Sequence, residues 1–159
     1  MKLIAILFLF IFLSAHSLNV YAVDEKLKGH WVYKIDQCKS GAKPNDRWSQ
    51  LAYRSIGLFI YDKEFAATVV FQTSDYSVTC SGGVGGTYVV DGNKFVETIK
   101  LVNNGNLNAC GIGIQTPVDT QITVPYQIKQ SLLFLNKPAG GKTVCDKEGD
   151  LIEVYERAQ

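Results

Sequence analysis

Gly86-Thr87-Tyr88-Val89-Val90-Asp91-Gly92-Asn93-Lys94-Phe95-Val96-Glu97-Thr98-Ile99-Lys100-Leu101 is the stretch that decides the fold. Two runs rich in β-branched and aromatic residues flank Asp91-Gly92. That dipeptide tolerates the positive φ angles of a tight hairpin turn, and between apolar runs it is among the strongest hairpin signals. The spacing predicts strands over Gly86–Val90 and Asn93–Leu101. Within the second, period-two alternation puts Phe95, Glu97 and Ile99 on one face.

The same period continues outward in both directions. Upstream, Lys28–Asp36, Arg54–Asp62 and Phe65–Thr73 read as strands; downstream, Asp119–Lys129, Ser131–Asn136 and Leu151–Arg157 do. Pro125 falls on the polar set of its strand, a position that suits an edge or a bulge. Asp46–Tyr53 can form one short helix, and no convincing amphipathic helix, repeat or low-complexity tract is present. Tight connections separate the second and third, fourth and fifth, and sixth and seventh strands. The other four connections are long, about Gln37–Tyr53, Ser74–Gly85, Val102–Val118 and Lys137–Asp150. In an up-and-down meander alternate connections fall at opposite ends, so the expected object is an all-β, eight-stranded antiparallel barrel with a closed base and a loop-built mouth.

The first 22 of the 159 residues stand apart. Lys2, an 11-residue apolar run from Leu3 to Leu13, and Val20-Tyr21-Ala22 make the three regions of a secretory signal peptide. The run is short of the roughly 20 residues that span a bilayer. Cleavage is expected after Ala22, leaving one domain over residues 23–159, secreted or periplasmic. Losing Lys2 leaves 15 basic and 15 acidic residues and no net charge. A neutral chain without a Lys/Arg cluster is a poor match for nucleic acid or an anionic membrane surface.

Four cysteines, Cys38, Cys80, Cys110 and Cys145, fall one in each long connection. An even count in an exported chain reads as two disulfides. Zinc ligands come in close pairs, whereas the shortest spacing here is 30 residues, so no metal is expected. In a closed barrel the last strand meets the first, which favours Cys38–Cys145 with Cys80–Cys110. The rival pairing is Cys38–Cys80 with Cys110–Cys145.

Gly29-His30-Trp31 is similar to the Gly-x-Trp that opens lipocalin-type barrels. Gly86-Thr87-Tyr88 with Asp91–Phe95 resembles the central hairpin of small lipocalin-like domains, and Tyr155-Glu156-Arg157 resembles their closing strand. By strand order the resemblance covers the whole mature chain, which is shorter than full-length lipocalins and lacks an obvious C-terminal helix. It implies a calycin-type cup whose base is sealed by Arg157 near Trp31.

Alternation then nominates the interior. Trp31, Tyr61, Phe95 and Tyr126, with Arg157, are expected at the base, mostly as a packed aromatic plug. Tyr33, Phe59, Phe71, Tyr88, Glu97, Ile99, Ile122 and Phe134 are expected higher, lining a pocket or filling the barrel. Glu97 either anchors a ligand or swings to solvent on a bulge. In the last strand either Leu151, Glu153, Tyr155 and Arg157 point in, or Ile152 and Val154 do. His30, alone in the mature chain, is expected on the surface, and paired cysteines leave no nucleophile–His couple. Glu97 and Glu153 are the only acid/base pair on offer, and the expectation is not an enzyme. Trp48, Leu107 and Ile112 can instead form a protein-binding rim. The function expected is therefore non-catalytic binding of a small apolar or amphipathic molecule by a monomer without cofactor. The alternative is a protein-binding module, such as an inhibitor of an exported enzyme.

Overall fold

The computed structural model describes residues 24–46, 51–137 and 144–159. The signal segment, its cleavage point and Trp48 lie outside the described residues. β1 (Gly29–Cys38), β2 (Leu51–Ile60), β3 (Glu64–Thr73), β4 (Thr79–Asp91), β5 (Lys94–Asn103), β6 (Gln121–Lys129), β7 (Leu132–Asn136) and β8 (Leu151–Arg157) close in sequence order into an antiparallel barrel. β8 returns to β1, with Trp31 opposite Arg157 and Cys38 opposite Leu151. Pairing of β8 with β1 leaves neither end strand of the meander as a free edge, which a small open sheet would otherwise present to other chains.

Several boundaries differ from the sequence expectation, each for a local reason. Leu51–Tyr53 belongs to β2 rather than to a helix. β4 begins at Thr79, seven residues before Gly86, so the connection after β3 is short and Cys80 lies within a strand. The glycines of Cys80–Gly86 read as a loop because they carry no β propensity. In the barrel they are demanded by close approach: a Cβ on Gly82 would lie 2.5 Å from Leu107 Cδ1, and one on Gly83 would lie 2.5 Å from the Ala67 carbonyl oxygen. At the short β3–β4 turn the Thr73 and Ser77 hydroxyls donate to Asp75 and hold its carboxyl down to about 2.

The core fills the lower barrel. Trp31, Leu58, Ile60, Phe65, Tyr88, Phe95, Ile99, Val124 and Leu133 are all buried. Fully burying one such side chain is worth about 1.5–3 kcal/mol. The base is sealed from below. Trp31 Nε1 donates to the Leu27 carbonyl at 2.7 Å, and the Arg157 guanidinium lies 4.3 Å from the Trp31 ring. The same guanidinium donates to the carbonyls of Lys28 and Lys26, and the Tyr126 hydroxyl donates to Asp24 at 2.8 Å. Burial pushes the Tyr126 phenol above its ordinary range, and the bond to Asp24 adds to that.

Three aromatics expected inside lie outside. Ile56, Leu58 and Ile60 are the inward residues of β2, so Phe59 takes the outer face, where it stacks on His30 with ring centroids 4.1 Å apart. Tyr61 is 63% exposed in the β2–β3 turn. Leu133 and Leu135 turn inward on β7, so Phe134 points out beneath Lys129 Nζ, 5.8 Å from its ring centroid. Both misplaced strand residues come from runs apolar on both faces, where alternation gives no parity.

Candidate functional site: the upper barrel and the β1–β2 seam

Above the apolar core the interior becomes polar on one side, and a bulge causes it. The pairing of β1 with β8 shifts between Tyr33 and Ile35. One extra residue inverts the parity that follows, so Ile35 is 51% exposed and Asp36 is buried. Asp36 thereby faces Glu153 across the β1–β8 ladder, on the inner side. The uncertainty in the last strand resolves accordingly: Leu151, Glu153, Tyr155 and Arg157 point in. Val154 is nonetheless buried on the outer face, between its register partners Ile35 and Phe134.

Two buried carboxylates side by side require compensation. Tyr155 donates its hydroxyl to Glu153 Oε2 at 3.0 Å, and Lys137 Nζ stands 3.4 Å from the same oxygen. The Tyr155 ring meets Tyr33 edge-on at 5.8 Å, and the Arg54 guanidinium lies over Tyr33, 5.4 Å from the ring centroid. Glu97 is opposite Tyr88 on β4 and Ile122 on β6, and it remains on the inner face rather than being swung out. Burial raises its carboxyl above the ordinary range; Lys137 opposes the rise and Glu153 adds to it. The bulge of β5 comes later, at Lys100, and turns Leu101 rather than Glu97 to solvent.

The mouth is capped on one side. The chain after β5 folds back as a lid, with a 3₁₀ turn at Leu107–Cys110 packed on β4. Leu107, expected on an exposed rim, is fully buried, and Ile112 packs partly buried against the core. The Asn-rich composition of Asn103–Asn106 serves this lid. Asn104 donates to and accepts from the backbone of Ile114, and Asn106 does the same with Thr79 and Ser81. Gly105, at φ +47°, sits against the Ser81 carbonyl where a side chain has no room. The Cys80–Cys110 disulfide fastens the lid, and Cys38–Cys145 fastens the loop before β8. Asp150 lies beside the second disulfide, but both sulfurs are bonded to each other, and its carboxylate accepts from Ser40 Oγ at 2.6 Å.

Away from the 3₁₀ turn, which packs on β4 and β3, β1 and β2 part. Their ladder runs from Gly29–Ile60 to Val32–Gly57 and stops. In the gap above lies a cavity of about 260 Å³ whose walls include Tyr33, Ile35, Asp36, Pro44, Asp46 and Arg54. Asp46 accepts from Arg54 Nη1 at 3.3 Å. Of the residues expected to line the cup, Tyr33 borders this cavity, while Phe71, Tyr88 and Ile99 are packed in the core and Ile122 is partly buried against it. Sequence reasoning missed Asp36, Arg54 and Lys137, while Tyr155 was among the inward alternatives of the last strand; the run Asp36-Gln37-Cys38 offered no sign of the bulge.

The fold and this interior define a class: an all-β, closed eight-stranded barrel with two disulfides and a charged chamber above an apolar plug. No family model, curated protein or solved structure matches the chain.

Proposed function

We propose that the chain is an exported, lipocalin-like binding protein that holds one small amphipathic molecule in the upper barrel without transforming it. The cavity at the β1–β2 seam carries the reading. Its 260 Å³ lies just under the range of about 300–1,000 Å³ common for ligand pockets, so the occupant is small. Tyr33, Ile35 and Pro44 offer an apolar wall, and Asp36, Asp46, Lys43 and Arg54 offer charge of both signs. Two disulfides suit an extracellular or periplasmic chain. Among the described residues no helix is long and apolar enough to cross a membrane. A non-catalytic role is favoured because His30 is stacked on Phe59 on the outer face and Glu153 is already engaged by Tyr155 and Lys137. The inhibitor reading has less to work with, since Leu107 is an internal plug.

Titration with anilinonaphthalene sulfonate tests it. Saturable binding at one site is expected. Ile35→Ala, which trims an exposed wall and leaves the core intact, should weaken it about fivefold, the value of roughly 1 kcal/mol of apolar contact. Unsaturable binding, or binding indifferent to Ile35, contradicts the assignment.

A further inference from the structure

Asn104-Gly105 is the one Asn-Gly step in the sequence. Such a step is open to spontaneous amide chemistry, because glycine leaves its backbone nitrogen uncrowded by a side chain. The lid imposes both residues. Asn104 Oδ1 accepts from the Ile114 amide at 2.7 Å and its Nδ2 donates to the Ile114 carbonyl at 3.3 Å, so one side chain ties the loop across its width. Gly105 stands at φ +47° against the Ser81 carbonyl, where no side chain fits. A lid built on this clamp and this close approach carries the labile step with it.

The same contacts hold the step inert. Cyclisation needs the Gly105 nitrogen to reach Asn104 Cγ. That nitrogen donates instead to Asn103 Oδ1 at 2.9 Å, and the Asn104 carbonyl accepts from the Leu107 amide at 2.9 Å. Both Asn104 and Gly105 are exposed, so water reaches them and only the geometry protects them. Reaction therefore requires local opening of the lid, whose anchors are the fully buried Leu107 and the Cys80–Cys110 bond.

We propose that Asn104 is a deamidation site gated by the lid: the closed lid keeps it unreacted, and once it reacts the lid loses its clamp. The Gly105 nitrogen gives up its proton and bonds to Asn104 Cγ, ammonia leaves, and a five-membered succinimide forms. Water then adds to either ring carbonyl and opens the ring to aspartate or isoaspartate. The balance is one water consumed and one ammonia released, with no electron transferred. Aspartate sets an oxygen, with no N–H to donate, against the Ile114 carbonyl. Isoaspartate lengthens the main chain by a methylene beside Gly105, which is already pressed on Ser81. Nothing in this step needs a ligand in the barrel.

Peptide mapping of the oxidised chain during storage in mildly alkaline buffer tests the gate. Conversion of Asn104 should be about tenfold or more slower in the native chain than in the same chain unfolded in guanidinium, since the rate follows the open population. Cys80→Ala with Cys110→Ala, which leaves Cys38–Cys145 intact, should bring the native rate most of the way to the unfolded one. Asn103→Ala, a surface change that only frees the Gly105 amide, should speed conversion about fivefold, the value of one hydrogen bond, and it reads the gate even if the cysteine variant fails to fold. Equal rates in the native and unfolded chains, or a native rate indifferent to Asn103→Ala, overturn the gate; no conversion in the unfolded chain overturns the site. The deamidated chain, separated by its added negative charge, should lose Cys80–Cys110 to dithiothreitol faster than the unmodified chain, with Cys38–Cys145 as internal standard. Unchanged reduction of Cys80–Cys110 overturns the loss of the clamp.

Discussion

Glu97 shows how much one inward carboxylate does to the chemistry of the chamber. Its pKa is raised from the model-compound 4.5, chiefly by burial. A folded state with a raised carboxyl pKa binds protons more tightly than the unfolded chain, so this group's penalty is complete above the folded value and disappears as pH falls toward the unfolded one. Glu97→Gln should therefore raise Tm at neutral pH, and the gap between variant and wild type should close as pH is lowered from neutral to below the unfolded value of 4.5. A gap that is constant across that range, or of opposite sign, contradicts the burial of this side chain. The alternation around Asp91-Gly92 already placed Glu97 beside Phe95 and Ile99, and that placement holds. Asp36 was not legible in the same way. The bulge that inverts it arises from pairing with β8, more than a hundred residues downstream, and period-two reasoning along β1 cannot contain it.

Among the elements, the lid is the one whose role the sequence concealed. Asn103–Gly113 has the composition of an ordinary turn, and Leu107 within it resembles a surface anchor. What decides its fate is the bare backbone of Gly82, which opens a socket for that leucine. Leu107→Ala should cost about 2–5 kcal/mol, as for other wholly buried leucines. Gly82→Ala should also destabilise, because its Cβ would lie 2.5 Å from Leu107 Cδ1 and 2.7 Å from the Asn103 carbonyl. Since the two residues share one contact, Gly82→Ala should cost less in a Leu107→Ala background than alone. Strict additivity in chemical denaturation would show that Leu107 does not occupy this socket. The glycine run of β4 misled the strand assignment for the same reason: its residues are selected by what approaches them, and only tertiary structure reveals that.

Across the whole molecule, the two disulfides close very different loops. Cys38–Cys145 spans 107 residues and Cys80–Cys110 spans 30. In the chain-entropy picture they are worth about 5 and about 3.5 kcal/mol respectively. Replacing Cys38 and Cys145 by Ala should lower stability more than replacing Cys80 and Cys110, by an amount of order 1 kcal/mol in urea denaturation; the reverse order would mean that the lid, not barrel closure, dominates. The pairing itself was legible from topology, because eight strands that close must bring the end of the first near the start of the last. The meander, the base sealed by Trp31 and Arg157, and the alternation of β6 were legible too. Runs apolar on both faces were not, which is why Phe59 and Phe134 were expected inside. The charged chamber and the cavity at the seam come from where pairing shifts and stops, a property of the closed sheet rather than of any segment.

Native mass spectrometry of the non-reduced chain, purified from the extracellular or periplasmic fraction proposed for it, addresses the central claim most directly. The account predicts a species heavier than the two-disulfide polypeptide by the mass of one small molecule, lost on denaturation and diminished in Ile35→Ala. A chain that carries only its own polypeptide mass, and stays bare when offered an excess of anilinonaphthalene sulfonate, would contradict it.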